Sequence, residues 1–281
     1  MKRSDRIKLN FTRNWALPGK ERLANWLKLS AGAATCLKDG IIWLKDENIA
    51  LYSSADNYIE STILKNGSYE SEIGKLIAVF LKKGDVALDV GANIGLQSLR
   101  MSAIVGIEGK VYAFEPLYYL QEKLKNNLAL NRADNVLLMP FALSDAESEQ
   151  TYKINPNSWN QGTFSLRAGG DNGTLQTIQI KIGSQLPEIS NLTKLNFIKI
   201  DVEGFELQVI YGLKTVINKH RPVIIFEYDA GYWQQAGNHI ENCYDLFKDY
   251  NYQLYQVNEA NAESINPAKT IQSGNILCIP E

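Results

Sequence analysis

GDVALDVGANIG, residues 84–95, runs a short apolar stretch straight into a turn with two glycines. Val86, Ala87, Leu88 and Val90 make a run too short for a helix, and Gly-Ala-Asn-Ile-Gly ends it, so 85–90 is predicted to be a buried strand. A helix is expected to follow, through about Val105. Four more runs of the same kind come in order: KVYAFE (110–115), NVLLMPFAL (135–143), LNFIKI (195–200) and PVIIFEY (222–228).

Helical spacing fills the gaps. Pro116 is expected to open a helix in its first turn, with Leu117, Leu120, Leu124 and Leu128 on one face. Further helices are predicted at 204–218 and near 240–249, and strands at 252–257 and 275–279. Upstream, SYESEIGKLIAVFLKK (68–83) places Ile73, Leu76, Ile77 and Phe80 on one stripe, with Ser68 as its N-cap. Strands alternating with amphipathic helices give an α/β fold with a largely parallel sheet. The alternating stretches 148–154 and 174–182 read as a hairpin-like pair around the loop 155–173. Part of that loop, NPNSWNQGTFSL (155–166), is long enough to be a binding loop or lid.

Residues 1–66 read as a basic, partly helical accessory segment, and residues 67–281 as the main domain. PGKERLANWLKLS (18–30) has helical spacing, with IIWL and NIALY after it. Ten Lys or Arg against three Asp or Glu in residues 1–45 could give this segment peripheral contact with an anionic membrane face. The chain as a whole has a net charge of −2, which argues against a nucleic-acid partner. Three scattered cysteines, Cys36, Cys243 and Cys278, form no zinc spacing or disulfide framework. With no signal-peptide pattern and no apolar run of membrane-span length, a cytoplasmic location is expected.

In parallel sheets ligands bind beyond the carboxyl ends of the strands. Asp89, Gly91 and Gly95 stand at the end of the first strand, and Glu115 ends the second, about two dozen residues later. An acid there is placed to accept from ribose hydroxyls, and Asp89 to hold a ligand ammonium, directly or through water. A dinucleotide fingerprint would want glycine at 93 and 96, where the chain has Asn93 and Leu96. One acid for a ribose and one for a cation, around a glycine turn without a pyrophosphate signature, suggest S-adenosylmethionine. Asp201, at the tip of the fourth strand, is the first candidate for a base, and Glu203 follows in the turn. Glu206, one turn into the helix, reads as a dipole-favoured or exposed residue. Lys199, within an apolar strand, needs a carboxylate partner or a route past the apolar layer. His239, after the fifth strand, is an alternative base, with Tyr232 and Trp233 nearby as possible sugar-stacking groups. His220 precedes that strand, at the wrong end of the sheet. Asp201 with Glu227 or Asp229 could form an oxygen-rich divalent-metal site, although no metal is needed for the reading.

With these stretches in order, together with NNLALN (126–131), KIDVEGFE (199–206) and RPVIIFE (221–227), the chain resembles the FkbM-type family of S-adenosylmethionine-dependent methyltransferases. The likeness spans about residues 67–230. It implies a Rossmann-like class I methyltransferase fold: a seven-stranded, mostly parallel sheet with helices on both faces and an antiparallel last strand. It implies a cofactor set of Asp89, Gly91, Ala92, Asn93, Gly95, Glu115, Pro116, Ala142 and Asp201. It also implies O-methylation of a hydroxyl, on a glycan, nucleotide-sugar or polyketide acceptor. Two other readings use the same fold class: a nicotinamide-dependent sugar oxidoreductase or epimerase, and a non-catalytic S-adenosylmethionine-binding module. YLQEK (119–123) matches the Tyr-x-x-x-Lys pattern of the former, but falls too early in the chain to reach a nicotinamide.

Overall fold

The computed structural model describes residues 40–44, 47–53, 57–155, 173–257, 262–265, 271 and 273–281. The expected helix at 18–30, the rest of the basic arm, Cys36 and nearly all of the 155–166 loop lie outside the described residues.

The described residues begin with an antiparallel hairpin, β1 (Gly40–Leu44) and β2 (Ile49–Ser53), followed by α1 (Tyr58–Asn66) and α2 (Ser71–Phe80). Then come β3 (Val86–Val90), α3 (Leu96–Val105), β4 (Lys110–Phe114), α4 (Tyr118–Asn131) and β5 (Val136–Met139). A small sheet follows from β6 (Ala142–Ser144), β7 (Ser148–Ile154) and β8 (Thr174–Ile182), and then a single-turn helix, α5 (Pro187–Ser190). The chain returns to the main sheet with β9 (Phe197–Ile200), α6 (Glu206–Gly212), α7 (Lys214–His220), β10 (Val223–Asp229), α8 (Ala230–Gln235) and α9 (Ile240–Asp249). It closes with β11 (Tyr252–Val257), the three-residue β12 (Ala262–Ser264) and β13 (Ser273–Pro280).

Seven strands lie in the order β11-β13-β10-β9-β3-β4-β5, and β12 adds a short edge beyond β11. β10, β9, β3, β4 and β5 are parallel, and the last strand, β13, is inserted antiparallel between β10 and β11. This is the expected class I methyltransferase architecture. From β3 the chain winds outward to β5, then returns to the other side of β3 as β9. The switch point therefore lies between β3 and β9, and a crevice opens beyond their carboxyl ends.

Alternation along the strands assigns the two faces. Leu88, Phe114, Ile198, Ile200 and Phe226 pack beneath α6, α7 and α9. Ala87, Val111, Phe197, Ile225 and Leu277 pack beneath α2 and α3. Full burial of such side chains contributes about 1.5–3 kcal/mol each.

Four expected boundaries shift, each for a local reason. Residues 135–143 form two strands in two different sheets, because Pro140 has no N–H to continue the ladder. The helix expected at 204–218 is two, divided at Leu213, next to the point where Gly212 packs on the Ser144 carbonyl. The helix after β4 starts at Tyr118, two residues beyond Pro116, because Glu115 Oε1 accepts the Leu117 N–H at 2.9 Å and holds the chain in a turn. Finally, α2 starts at Ser71 and is not capped by Ser68. Arg100 Nη1 donates to the carbonyls of Tyr69 (3.0 Å) and Glu70 (3.1 Å), and Glu70 is left-handed (φ 47°).

The hairpin and α1 are fastened to α3 and α4 by side chains. Asn127 Oδ1 and Asn131 Oδ1 accept the Tyr52 and Ala50 N–H groups, both at 2.8 Å. Arg100 pairs with Glu47, and Lys123 with Glu60. Ile42, Leu44, Ile49 and Leu51 are buried in the same apolar cluster as Leu96, Leu99, Leu117 and Leu120.

Candidate active site

The turn after β3 is held by backbone and by one acid. Gly91 has φ 82°, and a Cβ there would fall 1.8 Å from the Asp201 carbonyl oxygen, so only glycine lets the ends of β3 and β9 meet. At Gly95 (φ 88°) a Cβ would meet Leu124 at 2.1 Å. Both glycines thus serve close packing within the chain. The buried Glu115 accepts the Asn93 N–H through Oε2 and the Leu117 N–H through Oε1, both at 2.9 Å. Burial pushes its carboxyl up to about 7, against the pull of those two hydrogen bonds.

Two cavities flank this turn. One, of about 590 Å³, has apolar walls from Phe114, Phe141, Leu143 and Phe205, with Glu115 among them. The other, of about 730 Å³, is lined by Tyr58, Tyr69, Glu70, Lys199 and Glu227. Gly91, Asn93, Asp201 and Glu203 belong to both.

The tip of β9 supplies the charge. Lys199 shares its sheet face with Phe197 and lies opposite Asp89 in register. Its Nζ donates to Asp201 Oδ2 at 3.0 Å, and its side chain is 7% exposed. Burial alone would lower the Lys199 pKa, but Asp201, Asp89 and Glu70 more than reverse this, so it stays an ammonium. Asp89 is fully buried; Ser98 Oγ donates to its Oδ2, while Oδ1 has no hydrogen-bond partner among the described residues. Burial raises the Asp89 carboxyl.

Glu203 sits in the turn with φ 53°. Its carboxyl is pushed up to about 8, first by burial and then by the charges of Asp201 and Glu206. Glu227 is also raised, by burial and then by Asp201 and Glu203. Asp201, Glu203 and Glu227 each place a carboxylate oxygen within 4.8 Å of the others. A hard divalent cation could bridge such a spacing.

Glu206 overturns the expectation of an exposed helix acid. It is 1% exposed. Its Oε1 accepts the Val202 N–H (3.0 Å) and Gly204 N–H (3.1 Å), and its Oε2 accepts Trp233 Nε1 at 2.8 Å. It ties down the turn that carries Asp201 and Glu203, with its carboxyl pushed up to about 7 by burial.

Residues 89–254 match the family model described as the methyltransferase FkbM domain, more than half of the chain. The chain belongs to this family. Among relatives of this FkbM protein, the hexuronic acid methyltransferase AglP of Haloferax volcanii is 28% identical over 211 residues, covering 75% of this chain and 82% of AglP. Methyltransferase sdnD of Sordaria araneosa is 28% identical over 154 residues, 45% of this chain and 59% of sdnD. The crystal structure of a methyltransferase FkbM from Methylobacillus flagellatus aligns with a TM-score of 0.43 at 14% identity, over 92% of this chain and 60% of that one. Membership in a methyltransferase family sets aside the nicotinamide oxidoreductase reading.

Within this FkbM domain the expected site residues divide by position. Gly91, Asn93, Glu115, Pro116, Ala142, Asp201 and Glu203 line the apolar cavity, and Ala92 joins Gly91, Asn93, Asp201 and Glu203 on the charged one. Asp89 and Gly95 lie behind these walls: Asp89 points under α3 toward Ser98 and Lys199, and Gly95 packs on α4. Asp229 stands outside the Asp201–Glu203–Glu227 group, and its Oδ1 caps α8 by accepting the Tyr232 N–H at 2.9 Å. His239 is exposed at the start of α9, where its N–H is held by Asn242 Oδ1, and it lines neither cavity. Trp233 is wholly buried against Phe226 and Tyr228, so it presents no face to a ligand. Tyr58, Tyr69 and Glu70 were not anticipated as site residues. They precede the first strand of the main sheet, and nothing in their local pattern signals that they fold back over its edge.

Proposed function

We propose that this chain is an S-adenosylmethionine-dependent O-methyltransferase acting on a hydroxyl of a sugar or glycan. The observation that carries the reading is the position of Asp201 and Glu203, on the wall common to both cavities. The apolar cavity suits an adenosine. Half-buried Phe141 offers a flat apolar surface backed by Phe114 and Leu143, and Glu115 spends one lone pair per oxygen on the backbone, which leaves acceptor capacity for ribose hydroxyls. When bound, S-adenosylmethionine supplies a methyl carbon activated by its sulfonium.

The protein's part is alignment and proton removal. Lys199 fixes Asp201 through its hydrogen bond, so Asp201 orients the acceptor hydroxyl. Glu203, raised to about 8 by burial, is a stronger base than an ordinary carboxylate and takes the hydroxyl proton as the oxygen–carbon bond forms. Glu206 keeps both groups in place through the turn. A metal is not invoked, because the Lys199 ammonium already supplies the positive charge beside Asp201. The name of AglP, a hexuronic acid methyltransferase, favours a sugar as acceptor class.

Calorimetry with S-adenosylmethionine, S-adenosylhomocysteine and NAD(P), followed by labelled methyl transfer to a panel of glycans and nucleotide sugars, tests the proposal. The expected outcome is binding of the first two ligands alone and label that survives alkali and forms in the presence of a chelator. Preference for NAD(P), or label released by alkali as from an ester, would overturn it.

A further inference from the structure

We infer that the charged cavity is the acceptor subsite, with Tyr58 as its stacking platform, and that it takes an uncharged sugar ring in preference to a uronate. This deepens the sugar O-methyltransferase reading and rests on it.

The cavity is lined from α1, the segment before α2, the turn after β3, and the ends of β9 and β10. Its wall combines aromatic surface with hydrogen-bond acceptors. Tyr58, the first residue of α1, is 47% exposed and lines the cavity beside Ile59. Its position is fixed on both sides. Asn57 Oδ1 caps α1 by accepting the Glu60 N–H at 2.9 Å, and Glu60 pairs with Lys123 on α4. An amphipathic ring held at a cavity mouth offers a flat apolar surface to the C–H face of a sugar.

The other walls carry Glu70, Asp201, Glu203 and Glu227. Glu70 is held there by two contacts: Arg100 grips its carbonyl, and Gln97 Nε2 donates to its Oε2 at 3.0 Å. Against these four acids stands Lys199, recessed and engaged by Asp201. Sugar hydroxyls donate readily to carboxylates. A ring carboxylate cannot donate, and its charge would lie against acids whose own ionisation is already disfavoured by one another. The cavity that favours hydroxyls therefore discriminates against uronates, and this chain parts company in acceptor charge with a relative named for hexuronic acid.

The test uses the full-length protein with labelled S-adenosylmethionine and matched pairs of methyl glycosides (gluco, galacto and manno), each as the neutral hexose and as its uronate. The best neutral acceptor is expected to exceed its uronate at least tenfold in kcat/KM. Glu227→Gln should narrow that ratio by raising uronate use. Tyr58→Ala should raise the acceptor KM about tenfold with cofactor affinity unchanged, and Tyr58→Phe should restore it; thermal unfolding of each variant checks the fold. Equal or better use of the uronates, or an unchanged acceptor KM in Tyr58→Ala, would overturn the inference while leaving the sugar reading intact. Cofactor binding without transfer to any member of the panel would instead overturn the sugar reading, and this subsite with it.

Discussion

The two cavities meet at Gly91, Asn93, Asp201 and Glu203, yet they are built by opposite means. The apolar one is made by regular structure: strand ends, the turn after β3 and the aromatic residues near β4 and β6. Glu115, the one acid it does not share with the other cavity, is held by two backbone N–H groups. The charged one is assembled from distant parts of the chain, with residues 58–70 closing over β9 and β10, and its acids face one another. A wall that satisfies its own polar groups is suited to holding a ligand of fixed shape. A wall that leaves acids in mutual repulsion is suited to binding donors and moving a proton.

Substitutions on the two sides should therefore separate binding of the donor from turnover. The largest effect is expected from Asp201→Asn, which removes the ion pair with Lys199 at the tip of β9. The turnover number should fall about 10²-fold while S-adenosylmethionine affinity, read by calorimetry, changes little. Full activity would erase the division between the cavities. Next is Glu115→Ala on the apolar side, which removes the proposed ribose acceptor. Cofactor affinity should weaken by about 1–3 kcal/mol, with turnover at saturation nearly preserved. An unchanged dissociation constant would move the nucleoside elsewhere.

The smallest effect comes from pH. With Glu203 at about 8, its basic form grows as pH rises, so the rate at pH 7 should be about a tenth of its alkaline plateau. Stability runs the other way. Glu203 and Glu227 are raised above their unfolded values, so the folded state holds their protons more tightly. The stability this contributes is fully present below the ordinary carboxylate value of 4.5 and is lost as pH rises from there through about 8. The unfolding midpoint of the ligand-free protein should therefore drop between pH 7 and 9 as activity climbs. Parallel pH profiles would place the base on another residue, and Glu203→Gln would then leave the rate profile unaltered.

The same contrast explains what could be read in advance. Strands such as 86–90 and 223–229 announce themselves by short apolar runs closed by glycine or acid, and the parallel-sheet rule then sends Glu115 and Asp201 to one edge. The apolar cavity was legible because it is local to those strand ends. The charged cavity was not. Glu70 looks like an ordinary helix-start acid until Arg100 is seen gripping its carbonyl, and Tyr58 belongs to a helix with no sequence link to the crevice. Glu206 misled because a carboxylate in a first helical turn is normally content in water. Only the long-range partner Trp233 reveals why it is buried. Asp229 misled for the converse reason: a strand-end acid on the crevice side found a nearer use as a helix cap.

The contact between Gly91 and the Asp201 carbonyl has one further consequence. Where every other residue would carry carbon, Gly91 carries hydrogen, and main chain rests directly on main chain. On the proposed assignment of the two cavities, the span between donor and acceptor is gauged by two backbones, which have no rotamers to adjust. Each cavity can change its lining and its ligand without altering the gap that a methyl group must cross.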